Sequence, residues 1–383
     1  MRTITTTQDL AAFCEAAAAA PYVTVDTEFL RERTYWAQLC LVQMALPEDG
    51  EAVLVDPIEG ALDLGPLWAL FRDEGVVKVF HAARQDVEIF HHLGDAIPRP
   101  LFDTQVAAMV AGFGEQVGYE TLVRRIARES VDKASRFTDW SRRPLTDAQK
   151  SYALADVTHL RVIYEHLDAE LVRTGRRAWV EEEIAVLMDP ATYVTEPEDA
   201  WRRLKTRGAN PRVMAVAKEL AAFRERHAQE RDVPRGRVFK DDALMELAAT
   251  RPATLEELGR SRLLLREARR GEIAEGILAA VARGSAADVP RAARGGREDE
   301  RTQVDPAIAD LLRVLLKAKS ERLGVASKLI ATSAELDRIA AGEREVGTLS
   351  GWRREAFGAD ALRLCAGELA LAARGGRIDV VEL

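Results

Sequence analysis

The sequence predicts an α/β domain, a mixed sheet flanked by helices, followed by two small all-helical modules. Three observations predict it. Between residues 22 and 103, apolar and β-branched residues alternate with polar ones in several short runs, the period of a strand. From about residue 76 those runs alternate with helix-forming stretches, as in a sheet covered by helices. Beyond residue 200 the strand pattern stops, and Asn210-Pro211 and Asp305-Pro306 each open a helical stretch with a capping side chain and a proline in the first turn.

In chain order, residues 7–20 read as a capped, alanine-rich helix. Tyr22–Phe29 is the first strand. Val23, Val25 and Thr27 alternate there with Thr24, Asp26 and Glu28, so the two acids project from one face. Arg31–Tyr35 is a polar turn, and Leu39–Met44 and Ala52–Asp56 are two more strands of an antiparallel meander. A helix around Leu62–Arg72 precedes a strand at Val76–Phe80. His81–Phe90 leaves that strand and turns helical, placing Asp86 near the strand's carboxyl end, where ligands of α/β sheets bind, or else as a helix-start acid that serves the dipole. Leu101–Ala107 is a further strand-to-helix passage with Asp103 as its N-cap.

Thr146 caps a helix from about Asp147 to His166, on which Tyr152 and Asp156 share a face at i,i+4 spacing; another helix runs through Trp179–Leu187. The resulting division is an α/β domain over 1–190, a linker over 191–208, a first helical module over 209–284, a flexible joint over 285–303 and a second module over 304–383. Thr254–Leu258 and Ser333–Leu336 are similar phrases, the mark of a weak internal repeat.

Composition narrows the class. The chain has 383 residues, 47% hydrophobic and 30% charged, with no run long enough for a membrane span and no signal-peptide core at Met1–Thr5. Three cysteines, Cys14, Cys40 and Cys365, are too few and too scattered for a disulfide framework or a zinc site. A soluble, cytoplasmic monomer is expected. The net charge of −8 conceals an asymmetry: residues 1–200 hold 19 Lys and Arg against 34 Asp and Glu, and the remainder holds 35 against 28. Residues 201–240 are densest, with 12 basic and 4 acidic. An acidic half suits metal and a basic half suits phosphate backbones, although a charged helical face is also ordinary solubility.

Two acids in an apolar strand repel and lose hydration. A hard divalent cation relieves both, because carboxylate oxygens are its preferred ligands; the alternative is a strand end with two solvated acids, the commoner case for a lone Asp-x-Glu. Elsewhere, Lys133–Arg143 interleaves basic and aromatic residues, either as a phosphate- and base-contacting surface or as a loop with Trp140 buried.

Val25-Asp26-Thr27-Glu28-Phe29, His81-Ala82-Ala83-Arg84-Gln85-Asp86 and Tyr152-Ala153-Leu154-Ala155-Asp156 occur in that order, and the series resembles the three motifs of the ribonuclease D family of 3′–5′ exonucleases. Residues 210–282, through Arg231–Arg235 and Phe239–Leu244, resemble that family's helical HRDC domain; 305–383 resembles a divergent second copy. The resemblance implies a ribonuclease-H-like fold with a five-stranded mixed sheet. It implies that Asp26, Glu28, Asp86 and Asp156 hold two divalent cations, Mg²⁺ or Mn²⁺, and that Tyr152 orients the attacking water. Glu32, Glu88 and Asp103 are not expected as ligands. The implied reaction releases nucleoside 5′-monophosphates from structured RNA such as tRNA precursors with 3′ extensions. Candidate RNA contacts are Phe29, His81, Arg136, Trp140, Arg142, Arg202, Arg203, Lys205 and Arg207, with His81 equally a core or cap histidine. The competing readings are a DNA exonuclease with the same site, since no 2′-hydroxyl sensor is identified, and an inactive nucleic-acid-binding scaffold.

Overall fold

A computed structural model describes residues 1–60, 62–132, 138–206, 210–287 and 305–383. It divides into two compact units. One contains residues 1–28, 40–192 and the described residues from 305 on; the other contains 29–39 and the described residues from 193 to 287.

The sheet of the first unit has six strands, not five. They are β1 (Arg2–Ile4), β2 (Tyr22–Leu30), β3 (Gln38–Ala45), β4 (Ala52–Val55), β5 (Val77–Phe80) and β6 (Leu101–Asp103), in spatial order β1-β4-β3-β2-β5-β6. The extra strand is β1, which pairs in parallel with β4, Thr3 opposite Leu54. Three residues are too few to show a period of two, so sequence pattern alone does not reveal it. β3 and β4 are antiparallel, whereas β5 runs parallel to both β2 and β6. The sheet is therefore mixed, with the acid-bearing β2 near its centre.

Helices α1 (Thr7–Ala18), α2 (Gly65–Arg72), α3 (Arg84–Gly94), α4 (Thr104–Val110), α5 (Tyr119–Leu122), α6 (Asp147–Thr174) and α7 (Arg177–Ala185) accompany it. Thr146 and Gln149 form a reciprocal capping box at the start of α6. α6 runs past His166 to Gly175, whose φ of 68° supplies the left-handed cap. α3 starts at Arg84 because His81–Ala83 form a turn with Ala82 at φ 61°. Asp103 fixes that turn: its carboxylate accepts from the backbone N–H groups of Ala82 (3.0 Å) and Ala83 (2.9 Å) while capping α4 through Gln105 N–H (2.8 Å). The capping role expected of Asp103 is thus present, on two elements at once.

Arg143 is a second anchor. Its guanidinium bonds the buried Asp56 carboxylate at 2.5 and 2.6 Å and reaches the Cys40, Trp140 and Arg142 carbonyls at 2.7–2.9 Å. Removing one member of so buried a pair leaves the other charge uncompensated, which makes it a fixed strut of the fold rather than a phosphate contact.

In the second unit, residues 197–203, within the stretch read as linker, wind into a 3₁₀ helix, and Ala200 and Leu204 enter the core. That core is built on α8 (Pro211–Glu230), α9 (Arg235–Val238), α10 (Asp241–Thr250), α11 (Leu255–Gly259) and α12 (Gly271–Ala286). Asn210 caps α8 by accepting from Arg212 N–H at 2.9 Å. Residues 31–35, read as a polar turn, include Tyr35, which is only 7% exposed in this core. Its hydroxyl donates to Glu225 and accepts from Arg235 (2.8 Å) and Gln229 (3.1 Å). Several arginines that made residues 201–240 look basic are ion-paired: Arg202 with Asp199, Arg224 with Asp241, Arg226 with Glu198, Arg231 with Glu272 and Arg235 with Glu225.

The C-terminal segment is not all-helical. After α13 (Pro306–Leu323), α14 (Ser327–Ile330), α15 (Ser333–Ala340), α16 (Gly351–Arg353) and α17 (Ala359–Cys365) come antiparallel strands β7 (Leu369–Arg374) and β8 (Arg377–Glu382). Gly375-Gly376, with φ 58° and 76°, makes the two-residue turn, which demands positive φ at both positions. The segment belongs to the first unit: Trp352 stacks on Trp179 at 4.6 Å, and Arg353 pairs with Glu183 at 2.5 Å.

Candidate active site

β2 carries Asp26 and Glu28 on the face that its alternation predicts, with Val23 and Val25 fully buried. α6 supplies Asp156, 8% exposed, and Tyr152 one turn earlier. One carboxylate oxygen from each of Asp26, Glu28 and Asp156 lies within 4.8 Å of the others. Asp86, in the first turn of α3, is buried and lies outside that close group of three; its charge acts on Asp26, and its carboxylate accepts the Thr27 hydroxyl. Motifs separated by more than a hundred residues therefore meet because a central strand and a long helix cross where α3 begins.

The crowding has an electrostatic signature. Burial, then the charges of Asp156, Asp86 and Glu28, hold the Asp26 carboxyl well above the usual carboxylate range. Burial pushes Asp86 up to about 7, against the opposing hydrogen bond from Thr27. The Tyr152 phenol is raised by burial first and then by Asp156, Glu28 and Asp26; its hydroxyl is bonded to Asp156. Such a set of hard, mutually repelling oxygens fits a divalent cation, whose charge offsets both the repulsion and the lost hydration.

Beside the acids lies a cavity of about 260 Å³ bounded by Asp26, His81, Tyr119, Tyr152, Asp156 and Leu160. His81 is there as a structural bridge: its Nδ1 lies 3.0 Å from the Thr104 hydroxyl, and its ring is also hydrogen-bonded to the backbone of Val117. Burial lowers its pKa, keeping it neutral. Trp140 is 2% exposed, its ring 6.1 Å from that of Tyr152, so it supports the tyrosine and is not an exposed stacking platform. Arg142 is exposed and paired with Asp139 at 3.3 Å. Phe29 is half-buried, Arg202 and Arg203 are exposed, with Arg203 bonded to the Thr195 hydroxyl (3.2 Å), and Lys205 is exposed. Arg136 and Arg207 lie outside the described residues. Glu32 is exposed and Glu88 half-buried, and neither joins the acid cluster.

Sequence reasoning missed Thr24, Thr27 and Tyr119. Thr27 is a strand threonine between two acids, and nothing in its type announces a bond to Asp86. Tyr119 follows Gly118 on a helix of four residues, too short for a periodic signal.

Comparison with known proteins places the whole arrangement. A family model described as a 3′–5′ exonuclease matches residues 1–172, and the HRDC domain model matches residues 213–281. The ribonuclease D of Jannaschia sp. (strain CCS1) is 64% identical over 386 residues, spanning 100% of this chain and 99% of that protein. The ribonuclease D of Acidiphilium cryptum (strain JF-5) is 51% identical, spanning 99% of this chain and 97% of that one. The crystal structure of Escherichia coli RNase D, an exoribonuclease involved in structured RNA processing, superposes with a TM-score of 0.80 at 30% identity over 96% of this chain and 98% of that one. The HRDC match falls on the first helical module, so one such domain is established rather than the expected two. With its acid cluster and full-length kinship, this chain belongs to the ribonuclease D family of divalent-metal-dependent 3′–5′ exoribonucleases.

Proposed function

We propose that the chain trims 3′ ends of structured RNA, including tRNA precursors with 3′ extensions, one nucleoside 5′-monophosphate at a time. The observation that carries this reading is the meeting of the Asp26, Glu28 and Asp156 oxygens within 4.8 Å beside a cavity, in a chain 64% identical to a ribonuclease D. Asp26, Glu28, Asp86 and Asp156 are the side chains that would hold two divalent cations, Mg²⁺ or Mn²⁺. Bound there, the cations supply positive charge against the phosphodiester and acidify water. The protein's own groups do the positioning. Asp86, oriented by Thr27, completes the acid set. Tyr152, kept as a phenol by burial and then by its acidic neighbours, offers a fixed hydroxyl to the attacking water. Water oxygen bonds to the terminal phosphorus, the bond from phosphorus to the preceding 3′ oxygen breaks, and that oxygen is protonated. No side-chain nucleophile takes part, so no covalent enzyme intermediate forms.

The HRDC-matched unit serves as a backbone-phosphate surface, with exposed Arg203 and Lys205 as its candidate contacts, and residues 305–383 as a divergent second copy. The protein works as a cytoplasmic monomer. The test is digestion of matched 3′- and 5′-labelled RNA and DNA oligonucleotides with and without Mg²⁺. Immediate release of labelled mononucleotide from the 3′ end, a 5′-labelled ladder, and dependence on metal are expected. Internal cuts, 5′ release, or faster digestion of DNA would overturn the reading.

A further inference from the structure

Three successive backbone carbonyls of α6, those of Ala155, Asp156 and Val157, are each approached by a side-chain hydroxyl. The Tyr119 hydroxyl lies 2.6 Å from the Asp156 oxygen and 3.1 Å from that of Ala155. The Thr24 hydroxyl donates to the Val157 oxygen at 2.8 Å, with the Ala45 oxygen further off at 3.3 Å. A carbonyl oxygen has two lone pairs, so it can accept a side-chain donor in addition to its helical N–H partner. These contacts hook the one turn of α6 that carries the acid.

Where the hooks are rooted matters. Thr24 is fully buried on β2, two residues before Asp26 and on the same face. Its bond to Val157 therefore ties the strand position of Asp26 to the helix position of Asp156 by a path of a few residues. Tyr119 holds the same turn from α5, its ring standing in the cavity wall 5.5 Å from that of His81. Packing alone lets a helix rotate or slide slightly on a sheet. A directional bond at each of two sites removes those freedoms, and rotation about the α6 axis is the motion that changes the gap between the Asp26 and Asp156 carboxylates.

We propose that Thr24 and Tyr119 are positioning residues that set the separation of Asp26 and Asp156 for cation binding. Each acts through the helix backbone, its hydroxyl being committed to the carbonyls of α6. This inference rests on the metal-dependent nuclease reading above.

The test uses the full chain and Mn²⁺ alone, with free Mn²⁺ followed by electron paramagnetic resonance in the absence of RNA. Thr24→Val preserves shape and strand propensity but removes the donor, and Tyr119→Phe keeps the ring. Each is expected to weaken Mn²⁺ binding about fivefold, the factor carried by one hydrogen bond, while Thr24→Ser, which restores the hydroxyl, stays within about twofold of wild type. In turnover, the KM for RNA is expected to hold and kcat to recover at saturating Mn²⁺. Unchanged Mn²⁺ affinity in both variants, a loss in Thr24→Ser equal to that in Thr24→Val, or a raised KM with intact Mn²⁺ binding would overturn the inference alone. Mn²⁺ binding that stays at wild-type strength in Asp156→Asn would instead remove the metal-site reading and this inference with it.

Discussion

Alanine at Asp26 or at Asp156 is expected to lower kcat by about 10⁴-fold or more while RNA affinity stays within about threefold, because on the proposed reading the lost group holds a cation at the reacting phosphate and does not contact the bulk of the substrate. The same variants carry a second, opposite signature. Asp26 is half-buried among the charges of Asp156, Asp86 and Glu28, and this repulsion is unrelieved when no cation is present. Removing one acid therefore raises the melting temperature of the EDTA-treated protein, so inactivity accompanied by greater stability separates a lost ligand from a damaged fold. Appreciable turnover in Asp26→Ala, measured by mononucleotide release, would contradict the assigned role.

The second large effect links pH, metal and stability. Asp86 titrates at about 7 in the folded chain against an ordinary 3.8. The folded state thus holds a proton that the unfolded state has lost, and the linked stability is present at low pH and disappears as pH rises through about 7. Above that point both states are ionised and the buried charge weighs fully on the fold. In EDTA, Asp86→Asn should therefore melt higher than wild type at pH 8, and the difference should shrink as pH falls through 7 and vanish only below the ordinary value of 3.8. Divalent cation takes the place of the proton. At about 100 times its Kd it adds about 2.7 kcal/mol to wild-type stability at pH 8, and this gain shrinks in acid as protons compete for the same oxygens. A wild-type minus Asp86→Asn difference independent of pH, or a Mg²⁺ effect that grows on acidification, would count against the cluster as a cation site.

Much of this was readable in the residues because strong local rules governed it. The alternation of β2 placed Asp26 and Glu28 together, i,i+4 spacing placed Tyr152 over Asp156, and Thr146, Asn210 and Asp305 capped the helices that follow them. What escaped was of two kinds. One signal was present but unread: Gly375-Gly376 between Leu369–Arg374 and Arg377–Glu382 is a hairpin turn phrase, although Leu369–Ala373 is apolar throughout and shows no strand alternation. Others exist only in three dimensions. Tyr35 looks like a turn residue until Glu225 and Arg235 surround its hydroxyl, and Trp140, readable equally as a stacking platform or as a buried loop residue, is the latter, packed near Tyr152. Charge counting overstated the basic surface for the same reason, since a sequence does not show that Arg226 and Arg231 already face Glu198 and Glu272.

The most direct measurement is anomalous diffraction from crystals of the full chain soaked in Mn²⁺, for wild type and Asp156→Asn. Two manganese peaks bounded by Asp26, Glu28, Asp86 and Asp156 are expected in the wild type, with at least one lost in the variant. No manganese near these four side chains, or peaks unaltered by Asp156→Asn, would contradict the account.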